Sequence, residues 1–406
     1  MTGNAVGLWL ALLLLFPELN RFTGEVTYGR LIPVHLNLQL YGWTSLPLVA
    51  WLFHIYPSGL KADADLARGA LLSWSATLVV AAFSWMLGQN SGKIFLEWKG
   101  FARVLFCFNL LALWCVLAVR FWHSVRDRTK GYWIRVIGLI ALAVVVPTWF
   151  WASSPAVYPA VNPSTSGPTA GSLLGSTLSV VLVLLMAAPL LGSGTAGTIG
   201  RICWSVLFIE LCVFLVLGDG NKTHHSLVQI GLLAALLPWP ALLLLYFREF
   251  QFQRQCYFWL KAAIAWFALL TLTGWISFLP EVLDRWKFTN ALVAHSHLAM
   301  AGFVTCFNLF LLTSLGIRIS SSSGIVWNIA TFAYVVLMWA AGTLEAMSPG
   351  FTMLQSNLRT ILFVGRALAG SAMFACSLLW WKKLAVTQLD QASLAAMETE
   401  VVSLAA

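Results

Sequence analysis

Long apolar runs alternate with short polar breaks along the whole chain, and no run shows the strict every-other-residue pattern of a half-buried strand. Each run approaches the roughly 20 residues that a helix needs to cross a bilayer. The pattern predicts about twelve spans, near 4–19, 32–56, 67–88, 100–122, 132–151, 170–191, 200–217, 226–247, 257–279, 289–317, 323–346 and 358–381. The expected fold is an all-α polytopic membrane bundle forming one transmembrane domain over 1–381. Residues 382–406 follow as a mildly amphipathic cytoplasmic tail, surface-bound or disordered. The first run has no basic segment before it, so a first span extended through Pro17 and Leu19 fits better than a cleaved signal peptide. The Gly/Ser stretch 192–200 follows a helix rather than a strand, which leaves a nucleotide-binding loop poorly supported.

Composition agrees with the pattern. The 406 residues are 60% hydrophobic and 10% charged, and the mean hydropathy is +0.82. No soluble domain could bury that much apolar surface. The net charge of +9 is not a nucleic-acid signature, because the basic residues cluster in short loops. Arg120, Arg126, Arg128, Lys130 and Arg135 follow the fourth span, and Arg248, Arg254 and Lys261 follow the eighth. The loop over 152–170 carries no charge. This asymmetry predicts that both termini are cytoplasmic, in a multi-pass protein of the inner membrane in contact with lipid. Six cysteines fall inside apolar runs, at Cys107, Cys115, Cys203, Cys212, Cys306 and Cys376, where small packing roles are expected. There is no Cys-x-x-Cys, which removes a zinc ribbon and a covalent haem attachment.

The informative polar residues are histidines. His35 opens the second span, and His295 and His297 lie early in the tenth. Ionisable residues inside spans are costly and mark function. Residues i and i+2 of a helix point about 200° apart, so His295 and His297 cannot grip the same atom and, if both are ligands, face two different metal centres. The predicted topology brings spans two and ten in from the same side, which sets His35 and the pair at similar depth. Imidazole is the usual axial ligand of b-type haem. The economical assignment gives His35 and His297 one six-coordinate haem and leaves His295 to hold a second. The alternative for each is a polar residue hydrogen-bonded between helices.

Phe16-Pro-Glu-Leu-Asn20, then Gly29-Arg-Leu-Ile-Pro-Val-His-Leu-Asn37, resembles the first loop and second helix of the catalytic subunit of C-type cytochrome oxidases. The related nitric oxide reductases share that pattern. Ala294-His-Ser-His-Leu-Ala-Met-Ala-Gly-Phe303 looks like their tenth helix, with weaker echoes at Gly92-Lys93 and Arg366-Ala-Leu-Ala-Gly370. The resemblance to this haem-copper oxidase superfamily implies that His35 and His297 ligate the low-spin haem and His295 the high-spin haem. It departs at the second metal, which the family holds with three histidines from the sixth and seventh helices. No histidine lies between His123 and His224; Gly175-Ser176-Thr177 and Phe214 stand near the expected ligand and tyrosine positions. His224 and His225 come late, at the start of span eight, and are a weak second-metal candidate.

The resemblance implies one or two b haems as cofactors, without copper. It also implies an electron donor such as a cytochrome c-type subunit, a multihaem subunit or quinol, within a hetero-oligomeric complex. Arg30 and Arg366, and with them Arg359, could pair with haem propionates. Glu210, mid-span in the seventh helix, could relay protons or join helices. His54 and His123 read as interface residues, and Trp43 and Trp339 as deeper aromatics able to pack on a porphyrin or on helices. The leading function is an electron-transfer haem protein related to oxidase subunit I. The alternatives are an active oxidase or nitric oxide reductase subunit with an atypical metal site, and a haem-free transporter or assembly factor.

Overall fold

A computed structural model describes residues 1–57, 63–124, 131–154, 157, 171–217, 227–354 and 356–404. Among these residues the chain is helical throughout, joined by short turns, with one isolated bridge between Ser193 and Gln251. Among the described residues, ten helices are long and apolar enough to cross a membrane. The first predicted span is shorter, α1 (Thr2–Leu15). The second forms as three consecutive helical segments, α2 (Tyr28–Asn37), π1 (Leu38–Thr44) and α3 (Ser45–Ile55).

There follow α4 (Asp63–Met86), α5 (Gly100–Ser124), α6 (Tyr132–Ala152), α7 (Gly171–Leu191) and α8 (Thr198–Leu217). The eighth run turns at Ala235–Pro238 between α9 (Leu227–Ala234) and α10 (Trp239–Arg248), because Pro238 and Pro240 lack the amide protons a continuous helix needs. Next come α11 (Cys256–Ile276) and the tenth run, split into α12 (Asn290–His297), π2 (Leu298–Val304) and α13 (Thr305–Ser314). The last two helices are α14 (Ser321–Met347) and α15 (Asn357–Leu404). The last helix continues beyond the predicted span through Leu404.

Both histidine-bearing runs widen into a seven-residue π-helix directly after the histidines, and π1 packs on π2. Such insertions are uncommon and concentrate at functional sites. In a bilayer the carbonyls they release must be satisfied from within the protein, and hydroxyls and an amide do so. Ser45 Oγ donates to Leu40 O at 2.7 Å, and Thr305 Oγ1 reaches back five residues to Met300 O at 2.8 Å. Trp43 Nε1 donates to that Thr305 hydroxyl at 2.9 Å, and buried Asn308 Nδ2 donates to Thr44 O at 2.8 Å. The two π segments are therefore cross-linked by polar side chains that no apolar residue could replace.

Arg120, counted above among loop charges, is instead buried. Its guanidinium donates to Tyr56 O at 2.6 Å and Phe53 O at 2.7 Å, closing the C-terminal end of α3. Arg126, Arg128 and Lys130 lie outside the described residues.

Replacing Asn308 with Leu strands the Thr44 carbonyl. The expected cost is about 1–3 kcal/mol, seen as a lower thermal unfolding midpoint in detergent. An unchanged midpoint would mean that the amide does not brace π1.

Candidate functional site

α1, α2, π1, α12, π2, α14 and α15 enclose a cavity of about 490 Å³, within the usual range for cofactor sites of about 300–1,000 Å³. His35 and His297 both line it. Their rings lie with centroids 6.3 Å apart and planes 25° apart. A metal–imidazole bond of about 2 Å, with the ring centre about 1.1 Å beyond the nitrogen, sets the centroids of two imidazoles on opposite sides of one metal about 6.2 Å apart.

The hydrogen bonds fix the chemistry of each ring. His35 Nδ1 is 2.8 Å from Gly3 O, and His297 Nδ1 is 2.8 Å from Val293 O. A backbone carbonyl only accepts, so Nδ1 carries the proton in both rings and Nε2 keeps its lone pair. This is the tautomer a metal-ligating histidine takes when its other nitrogen is held by a carbonyl.

Packing fixes the ring positions as well. Tyr334, on α14, stacks on His297 with centroids 4.2 Å apart and planes 27° apart. On the other side, a Cβ on Gly7 would lie 2.4 Å from His35 Cε1, so only glycine lets α1 approach that ring. Neither Tyr334 nor Gly7 stands out in the sequence, since each reads as an ordinary residue of an apolar helix.

His295 faces elsewhere, as its two-residue offset from His297 requires. Its Nδ1 is 3.3 Å from Thr273 Oγ1 on α11, and a Cβ on Gly274 would lie 3.4 Å from its Cε1. The Thr273 hydroxyl gives its proton to Leu269 O at 2.7 Å, so it accepts from His295 and leaves that Nε2 free too. His224 and His225 lie outside the described residues. Where the resemblance expected ligands on α7 and α8, Gly175 instead packs on Phe214, whose Cζ would be 2.6 Å from a Cβ at 175. Glu210 on α8 accepts from Trp239 Nε1 at 2.7 Å and so joins two helices.

The arginines separate. Arg366 is buried, lines the cavity and leaves its Nε without a hydrogen-bond partner. Its guanidinium lies 5.5 Å from the Tyr334 ring centre. Among the described residues no carboxylate forms an ion pair with it, so an anionic group entering the cavity would meet a cation with an open donor. Arg30 does not reach the cavity wall and pairs with Glu25 at 3.4 Å near the surface. Arg359 donates to Thr352 O at 2.7 Å and Leu14 O at 3.0 Å, a bracket between chain ends of helices rather than a cavity contact. Trp43 lines the cavity, whereas Trp339 packs near Trp286.

A carboxylate that the sequence reading passed over also lines the cavity. Glu97 sits in the loop between α4 and α5, and accepts from Asn37 Nδ2 at 2.8 Å. Burial pushes its carboxyl up to about 7, against the partial offset of the Asn37 bond. A raised carboxyl pKa favours the folded state while protonated. Its stabilising effect is complete below the ordinary value of 4.5 and is lost as pH rises through about 7.

Two outcomes follow. The unfolding midpoint should fall between about pH 5 and pH 8, and Glu97→Gln should flatten that fall; an identical pH profile in the variant would contradict it. Gly7→Ala should displace the His35 ring and remove any ligand bound between His35 and His297. Gly231→Ala, where a Cβ meets nothing within 4 Å, should leave such binding unchanged. Equal ligand content in both variants, by absorption or metal analysis, would contradict the role of Gly7.

No family model matches the chain. A stretch of 159 residues, 38% of the chain, is 24% identical to cytochrome c oxidase subunit 1 from Rhodobacter capsulatus. The matched region covers 27% of the length of that relative. The chain is thus a polytopic helical membrane protein with a distant, partial similarity to an oxidase subunit.

Proposed function

We propose that this chain is a b-type haem protein of a respiratory electron-transfer complex, with one haem held between His35 and His297. The observation that carries the reading is the pair of carbonyl-held imidazoles, 6.3 Å apart across a cavity of about 490 Å³. Arg366 fits the same group, because haem brings carboxylates and the buried guanidinium has an unsatisfied donor. Bound there, a b-type haem supplies a one-electron ferric–ferrous couple.

The protein's own part is to keep the site rigid and dry. Gly3 O and Val293 O hold both rings in the ligating tautomer, and Tyr334 blocks rotation of His297. Leu8, Ala11, Ile32 and Met373 give the cavity apolar walls. Held in this way, His35 and His297 would offer a bound haem the same two imidazoles in either oxidation state, which suits electron transfer.

His295 is the proposed axial ligand of a second haem able to bind a small gas, supported by its free Nε2 and its separate orientation. The protein would then be an oxidoreductase subunit of the inner membrane. It would have both termini in the cytoplasm and a cytochrome c-type, multihaem or quinol donor.

The test is a reduced-minus-oxidised spectrum of purified protein, with and without carbon monoxide. His35→Ala and His297→Ala should each abolish the low-spin bands. His295→Ala should keep those bands and lose the carbon monoxide shift. Low-spin bands that survive both His35→Ala and His297→Ala would exclude this ligand pair.

A further inference from the structure

Glu345, on α14, does not touch the cavity, yet it governs two things that do. Its Oε2 accepts from the backbone N–H of Asn290 at 2.6 Å, at the first turn of the helix that carries His295 and His297. Its Oε1 accepts from Asn290 Nδ2 at 2.8 Å. A carboxylate only accepts, so this bond dictates which way the Asn290 amide points. The amide NH2 faces Glu345, and Oδ1 therefore faces Arg366 NH1, at 3.4 Å. Negative carboxylate, oriented amide and buried guanidinium form one relay leading to the cavity.

The backbone makes the relay rigid. A Cβ on Gly342 would lie 2.1 Å from Ala291 N, so α14 and α12 touch there without an intervening side chain. Glu345 follows three residues later on the same face of α14. An anionic side chain at that helix N-terminus also opposes the positive end of the α12 dipole.

We infer that Glu345 is a positioning residue and remote counter-charge of the cavity. It orients Asn290, aims Arg366 and anchors the first turn of the histidine helix. The inference rests on the haem reading above for its electrochemical consequence, and on the hydrogen bonds alone for its structural one. Removing a negative charge from the surroundings of a bound haem would disfavour its more positive ferric state. Glu345→Gln should therefore raise the midpoint potential of the low-spin haem. It also weakens the hold on the Asn290 amide, because a neutral amide oxygen accepts less strongly than a carboxylate.

The experiment uses the full-length chain and two readouts. A redox titration of the haem-loaded protein should show Glu345→Gln with unchanged low-spin bands. Its potential should rise by the equivalent of about a three- to tenfold change in electron affinity, tenfold being about 59 mV for a one-electron couple. Glu345→Asp should return the potential towards that of the parent protein, which a purely structural role would not produce. In protein prepared without haem, amide hydrogen exchange at Asn290 should accelerate in Glu345→Gln.

An unchanged potential with intact bands would overturn the counter-charge role. Unchanged exchange at Asn290 would overturn the anchoring role. If Glu345→Gln does not fold, Glu345→Ala removes the same charge and should also raise the potential; no shift there would overturn the counter-charge role. Parent protein that binds no haem would instead end the earlier reading, and the exchange measurement would still judge the anchoring.

Discussion

Two backbone carbonyls, Gly3 O and Val293 O, each accept from the Nδ1 of an imidazole, and the site depends on those bonds. In a hydrocarbon interior an imidazole is costly unless its N–H is satisfied. Satisfying Nδ1 with an acceptor that cannot donate leaves Nε2 as the only free function on each ring. The rings come from different helices, α2 and α12, and lie 6.3 Å apart. That spacing matches two imidazoles on one metal, and each tautomer keeps a lone pair on its Nε2.

The remaining architecture keeps that pair in place. The π segments after each histidine motif pack on each other and are joined by Trp43, Thr305 and Asn308. Gly7 lets α1 lie against His35, which brings the Gly3 carbonyl within reach of the ring. Tyr334 closes the His297 side and also lies beside Arg366, so one aromatic ring neighbours both that imidazole and the cavity's cation. The relay from Glu345 through Asn290 ties the same cation to the start of the histidine helix.

Much of this bundle is legible in the sequence, because hydropathy over windows of 20 residues directly reports a bilayer-spanning helix. The offset of His295 from His297 sets the two rings against different neighbours, Thr273 for one and Tyr334 for the other. What escaped the sequence depends on contacts between distant residues. The π segments have no composition of their own, and Gly7 looks like any small residue in a span. Arg120 reads as a loop charge until its side chain is seen to end α3. Arg30 and Arg366 look equivalent in sequence, yet one pairs at the surface and the other is buried against the cavity. Glu97 and Glu345 drew no attention because no local pattern distinguishes a capping or cavity carboxylate from a solvated one.

The proposal that His35 and His297 share one iron is most directly examined by electron paramagnetic resonance of the oxidised, purified protein. Ring planes only 25° apart predict a rhombic low-spin ferric signal, the form given by two axial imidazoles lying near parallel. A solely high-spin signal would mean that the iron has at most one of these histidines, and would contradict the shared site.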